Sequence, residues 1–202
     1  MAQLSNRAYA APLSFAFLTG WRLASEVLTL TWANVDLESG VVKLDPDTVT
    51  KNKQGRTLPT RALPEIHEML VSQRAFVSEI ERANDTICSL VFPRLNGAPI
   101  KSLRGAWDEA ATRAGFEGAL IHDLRRSSAR RYTAAGVPRG VAMKLAGWKT
   151  EAIFNKYDRV SGDDLSEGLA KVAKLRAEKN GPRSGPKEEK TPAVRAVAIA
   201  RK

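Results

Sequence analysis

Arg22 in TGWRLASEVLTLTW, Lys51 in TKNKQGR, His122 and Arg125 in HDLRR, Trp148 in AGWKT and Tyr157 in NKYDRV are the side chains best equipped for chemistry. They supply two guanidiniums, an ammonium, an imidazole, an indole N–H and a phenol. Together these groups suit attack by a tyrosine hydroxyl on a DNA phosphodiester, with the others stabilising charge on phosphorus or moving a proton. Arginine fits the first task because its planar fork can donate two hydrogen bonds to one phosphate. A phenol has a pKa of about 10, so cations such as Arg22, Lys51 and Arg125 must favour its phenolate. An indole donates one N–H and cannot act as a base, which restricts Trp148 to hydrogen bonding and packing. A core Trp after a glycine turn is the plainer reading of the same residue.

Each piece has a bland reading beside the chemical one. Arg22 and Glu26 are i,i+4 and could be a surface ion pair, or Glu26 could orient Arg22 toward a phosphate. His122 and Arg125 stand three apart and share one side of a helix, while Asp123 points elsewhere to cap that helix or steady a basic residue. In FNKYDRV, Phe154 is the apolar anchor, which leaves Tyr157 for a cleft. His67 has no clustered ligands and is assigned no function. The sequence holds no Cys/His cluster, no HExxH and no glycine-rich phosphate loop, and its acids are scattered. These features argue against a metal site, a nucleotide cofactor and a two-metal nuclease, so no cofactor is expected.

The elements that must position these groups read as mainly helical. From Ala8 to Thr31 the apolar residues Leu13, Phe17, Leu18, Leu23, Val27 and Leu28 recur at helical spacing, and Gly20 predicts a break near LTGW. Val42 and Leu44 alternate with polar positions, NKQG signals a turn and RTLP resumes extended character. That pattern predicts a small antiparallel sheet with Lys51 where a strand enters its turn. Pro64 to Ala83 predicts a helix with Ile66, Met69, Leu70, Ala75, Phe76 and Ile80 on its apolar face. LRGAWDEAATRAG predicts a helix closed at Gly115, and HDLRRSSARRYTAAG one ending at Gly136. PRGVAMKLAG follows with Pro138 in its first turn, and KTEAIFNKYDRV predicts a short helix carrying the tyrosine.

Composition sets the outer bounds. The chain has 202 residues, 43% of them hydrophobic, which fits one globular domain and a tail. From about Ala177, EKNGPRSGPKEEKTPAVRAVAIARK is dominated by Gly, Pro and charge and predicts a disordered basic tail over 177–202. A net charge of +10 favours polyanionic partners. No stretch is long and apolar enough to span a membrane, and the N-terminus lacks a secretory pattern, so a cytoplasmic, DNA-associated protein is expected. Cys88, the sole cysteine, lies in the apolar run TICSLVF and is expected to be a buried thiol.

From about Leu13 to Lys171 the ordered set of motifs resembles the catalytic domain of the tyrosine recombinases, the phage-integrase family. The resemblance implies an α+β fold, mainly α-helical, with a small antiparallel sheet, here over 1–176. It implies cutting and rejoining of double-stranded DNA through a 3′-phosphotyrosyl intermediate, by a homotetramer on paired sites, without metal or ATP. Tyr157 would be the nucleophile and Arg125 the second phosphate clamp beside Arg22. His122 would assist proton transfer to and from the tyrosine, and Trp148 occupies a place where the family has His or Trp. A hairpin lysine protonates the departing 5′-oxygen in the family; TKN favours Lys51, with Lys53 as the near alternative. The family usually has two residues between the first arginine and its glutamate, whereas RLASE has three. An N-terminal DNA-clamp domain is not among the residues of this sequence, which leaves open a fragment, a truncated remnant or a naturally short enzyme. The alternative function is therefore a catalytically weak remnant that only binds DNA. A type IB topoisomerase would share the chemistry. The terminal helix DDLSEGLAKVAKL, with Leu165, Leu169, Val172 and Leu175 on one side, could pack on its own core or on a neighbouring protomer.

Overall fold

A computed structural model describes residues 7–46, 55–155 and 162–179 of the chain. The chain divides into two units, 1–159 and 160–202. In the first, helix α1 (Arg7–Thr19) is buried on several sides, with Ala8, Pro12, Leu13, Phe15, Ala16, Leu18 and Thr19 all out of solvent. Phe15 meets Trp21 edge to face at 5.6 Å between ring centroids and Phe92 at 5.7 Å. Around these rings Leu13, Leu30, Val42, Leu58, Leu70 and Val91 close the main core. Burying each such side chain is worth about 1.5–3 kcal/mol.

The break predicted near LTGW falls at Gly20, whose φ of 71° lies in the left-handed region. Space there is short as well, since a Cβ on Gly20 would stand 3.0 Å from the Cβ atoms of Ala146 and Ser128. Only glycine meets both conditions without strain. The chain leaves α1 here in an extended step, which puts Arg22 at the mouth of the turn that follows.

The sheet is three-stranded and antiparallel in the order β1 (Val35–Asp36), β2 (Val41–Leu44), β3 (Arg56–Pro59). Val42 pairs with Leu58 and Leu44 with Arg56, so the alternation buries Val42, Leu44 and Leu58 on one face. Arg56 shares that inward face, two residues before Leu58. Helix α2 (Pro64–Asn84) starts on its proline and ends at Asp85, with Ile66, Leu70, Gln73, Val77 and Ile80 buried. The Gln73 amide donates to Val91 O at 2.8 Å, which satisfies a polar group inside the core. Cys88 is a buried free thiol.

Helices α3 (Arg104–Arg113), α4 (His122–Ala134), α5 (Arg139–Ala146) and α6 (Glu151–Asn155) complete the unit. Gly115 and Gly136 follow α3 and α4 with positive φ, as their positions predict. Pro138 precedes the first helical residue of α5 instead of lying in its first turn, and its carbonyl accepts from Val141 and Ala142. A second, smaller core joins Ala129, Ala142, Ala146, Trp148 and Phe154. Phe154 is fully buried there, as its anchoring role requires. The second unit contains α7 (Gly162–Lys179), which extends past residue 177, with Lys171 paired to Glu167 at 2.8 Å. No helix among the described residues is long and apolar enough to cross a membrane.

Candidate active site

Arg22 owes its position to an unusual turn. Residues Leu23–Val27 form a π-helical turn, in which Val27 N donates to Arg22 O at 3.1 Å and Leu28 N to Leu23 O at 2.9 Å. A π-turn takes in one residue more than an α-turn. Glu26 consequently curls back on Arg22 and accepts from both its backbone N–H, at 2.8 Å, and its Nη1, at 2.7 Å. The Glu26 side chain is wholly buried, while that of Arg22 is 30% exposed. The longer spacing in RLASE is thus absorbed by the turn, and the Glu26 carboxylate meets the Arg22 guanidinium.

Arg125 sits on α4 and is held much more tightly. Nη1 donates to Gly20 O and to Ala146 O, the latter at 2.6 Å, and Nη2 donates to Gly147 O at 3.1 Å. The guanidinium also lies 4.6 Å from the ring centre of Trp148. Only 4% of the residue is exposed. Both Nη1 hydrogens are directed at carbonyls. A clamp residue poised openly at a cleft is what the sequence suggests; the structure makes Arg125 a buried strut between α1, α4 and α5 as well.

The rest of α4 fastens the end of α1. Ser128 Oγ and Arg131 Nη1 donate to Phe17 O, and the Tyr132 hydroxyl reaches Leu18 O at 3.2 Å and Thr19 O at 3.1 Å. With Arg125 on Gly20 O, the carbonyls that a helix end leaves without intrahelical donors are each met by an α4 side chain. The Trp21 indole N–H adds a bond to Leu145 O at 2.8 Å. This ladder sets the distance between the two arginines. Burial pushes the Tyr132 phenol up from its ordinary value, so it remains a neutral donor.

One cavity of about 770 Å³ is lined by Arg22, His122 and Arg125 together with Lys101 and Ser102 from the loop before α3. His122 is the first residue of α4, one helical turn from Arg125. Of the two tasks foreseen for it, Asp123 performs one: it accepts from Arg126 Nη1 at 2.8 Å, whereas its other bond, from Leu120 N at 2.9 Å, ties down the loop before the helix and α4 has no side-chain cap. The His122 imidazole is held below its usual pKa, first by the protein packed around it and then by the charges of Arg125 and Arg126. It is therefore neutral at pH 7 and able to accept a proton. Trp148 does not line the cavity; it is buried beneath Arg125, edge to face with Phe154 at 5.2 Å. Lys51 and Tyr157 lie outside the described residues, on segments that adjoin β3 and α6. His67 meets Thr60 Oγ1 at 3.2 Å, and among the described residues no group of His, Cys, Asp and Glu could hold a metal ion.

Arg56 is the residue that sequence reading passed over. Its Nη2 stands 2.5 Å from Glu26 Oε1, so Glu26 is shared by two arginines. Its guanidinium lies 5.2 Å from the Trp21 ring centre and against Gly147, where a Cβ would come within 1.6 Å of Nη1. Strand alternation was the available signal, since Arg56 stands two residues before Leu58 on the same face. Desolvation lowers the Arg56 pKa, opposed by the Glu26 charge.

A mostly helical domain with a three-stranded antiparallel sheet and two arginines and a histidine around one cleft has the fold of a tyrosine-recombinase catalytic domain. The phage integrase family model matches residues 2–163, and the chain belongs to that family. Its structure is similar to the Tn1549 transposon integrase in complex with transposon right end DNA, with 15% identity and a TM-score of 0.59, covering 83% of this chain and 59% of that one. It is similar to XerA recombinase at 17% identity and a TM-score of 0.62, covering 90% of this chain and 60% of that one. A lambda integrase dimer bound to a COC′ core site gives 18% identity and a TM-score of 0.53, over 78% of this chain and 57% of that one. The chain thus spans less than two thirds of the length of these solved relatives. No curated protein matches it.

Proposed function

We propose that the chain is the catalytic domain, over 1–176, of a site-specific DNA recombinase that cuts and rejoins double-stranded DNA through a 3′-phosphotyrosyl intermediate. One observation carries this reading: Arg22 and, far further along the sequence, His122 and Arg125 line the same cavity. Tyr157 Oη attacks phosphorus as His122 takes its proton, and the bond to the 5′-oxygen breaks. Lys51 delivers a proton to that oxygen. The charge that develops on the phosphoryl oxygens is met by Arg22 and Arg125. Each preorganised donor of this type is worth about 2.7–4 kcal/mol in the transition state. Trp148 supports the cleft from below by carrying the Arg125 guanidinium on its ring. Rejoining reverses the steps, with the phosphotyrosyl bond conserving the energy of the cut strand. The excess of Lys and Arg draws duplex DNA, and the working form is a homotetramer on paired sites in the cytoplasm. DNA binding without turnover would leave the neutral His122 at the cavity without a task.

The test is a suicide pool of nicked duplexes with a randomised half-site, in which the short cleaved strand diffuses away. The wild-type chain should accumulate a denaturant-resistant protein–DNA adduct. Tyr157→Phe should bind the pool as well as wild type and form none. An adduct from the Phe variant would remove Tyr157 as nucleophile, and absence of an adduct from the wild type would leave binding as the function of this chain.

A further inference from the structure

We propose that Arg56 is a positioning residue of this site, one that aims Arg22 through their shared carboxylate. The inference rests on the recombinase reading above. Glu26 is the hub. It is completely buried, it receives Arg22 Nη1 at 2.7 Å and Arg56 Nη2 at 2.5 Å, and both contacts fall on the same oxygen, Oε1. A buried carboxylate demands neutralisation, and one arginine would suffice for that. The two arginines differ in exposure: the Arg56 side chain is 9% exposed and that of Arg22 is 30% exposed. Arg56 is the fixed partner, and Arg22 is the one that reaches the cavity.

The fixing of Arg56 is extensive. Strand β3 sets its backbone opposite Leu44, and the guanidinium is clasped between the Trp21 ring and the backbone of Gly147. Nε and Nη1 are buried without a hydrogen-bond partner among the described residues, so the side chain carries a desolvation cost that Glu26 and the Trp21 ring offset. Gly147 has φ of 72° and offers its carbonyl to Arg125 Nη2. Arg56 therefore touches the seats of both arginines of the cleft: the carboxylate that holds Arg22 and the turn that holds Arg125. A buried ion pair is a poor source of stability but a good fixer of geometry. Loss of Arg56 would let Glu26 draw Arg22 inward as its sole counter-ion, away from a phosphate. A displacement of about 1 Å in such a group can cost about 10²-fold in rate.

A double-mutant cycle decides this, read in single-turnover adduct formation on the nicked half-site pool, with affinity for the same pool measured by fluorescence anisotropy. Arg56→Lys keeps the charge but loses the fork. It should slow adduct formation by about 10–100-fold while affinity stays within about twofold. In an Arg22→Ala background the same substitution should cause little further slowing, because its effect passes through Arg22. A residue that merely stabilises the fold would slow the reaction equally in both backgrounds. Equal slowing, or a wild-type rate for Arg56→Lys, overturns the proposal while the recombinase reading stands. Absence of any wild-type adduct overturns both. If Arg56→Lys does not fold, Glu26→Gln enters the cycle in its place, with the same dependence on Arg22 expected and additivity again refuting.

Discussion

Replacing Arg125 by alanine should damage the fold as well as the reaction. The side chain bonds three carbonyls, those of Gly20, Ala146 and Gly147, and only 4% of the residue is exposed. A buried polar group left without its partner costs about 1–3 kcal/mol. Taking the low end for each carbonyl gives a loss of about 3 kcal/mol, because water entering the vacated space recovers part of the remainder. Removing a buried guanidinium also relieves its desolvation, whereas the lost contact with Trp148 adds about 0.5–2 kcal/mol in the other direction. At about 2–4 °C per kcal/mol for a chain of this size, the midpoint should fall by about 6–12 °C. Arg22→Ala is the control. Its side chain is 30% exposed, and Glu26 keeps both Arg56 and the backbone N–H of residue 22, so the cost should be at most about 1 kcal/mol. Differential scanning fluorimetry of the two variants, with chemical denaturation to check two-state behaviour, measures the difference. If Arg125→Ala melts within about 2 °C of wild type, the strut role is refuted.

Other outcomes follow from the same arrangement. Lys51→Ala should be impaired on ordinary DNA and largely rescued by a 5′-bridging sulfur, whose leaving group needs no proton; equal impairment on both would transfer the role to Lys53. His122 has a folded pKa below its ordinary value of about 6.5, so its contribution to stability is full above that pH and is lost as pH falls through the lower folded value. Melting midpoints between pH 7 and 5 should drop more for wild type than for His122→Gln, and adduct formation should weaken over the same window. Affinity for duplex DNA should fall with salt at a log–log slope of about −0.9 per phosphate neutralised, and truncation at Ala177 should flatten that slope. Truncation near Ser161, which removes α7, should block assembly on paired sites while the first unit stays folded; unchanged assembly would remove α7 from the interface.

Most of the helices were legible because periodicity and glycine stops are local signals. The cluster around HDLRR was legible for the same reason, with His122 and Arg125 one turn apart on a helix. Glu26 was harder, since its spacing from Arg22 matches the expected pairing only through a π-turn, and hydrophobic pattern does not distinguish that from an α-turn. The burial of Arg125 and the role of Arg56 depend on partners far along the chain. Gly20 and Arg125 are 105 positions apart, and a carbonyl that accepts a bond carries no mark in its residue type. Arg56 stood on the inward face of a strand by simple alternation, yet an arginine beside a turn invites a surface reading. Trp148 was open to two readings, and its burial under Arg125 favours packing as its means of acting.

The fastening of α1 by α4 has a consequence for the order in which competence arises. The contacts from Arg125, Ser128, Arg131 and Tyr132 to residues 17–20 close loops of 105 to 114 positions. Contacts of such separation repay their loop entropy only when much of the chain between them is already organised. A nascent or partly opened chain can hold its local helices, and with them its basic charge, while the two arginines remain apart. Such a chain would cling to DNA electrostatically but could not stabilise charge on phosphorus. The cavity that Arg22 and Arg125 share is thus a late product of folding, assembled only when residues more than a hundred positions apart have met.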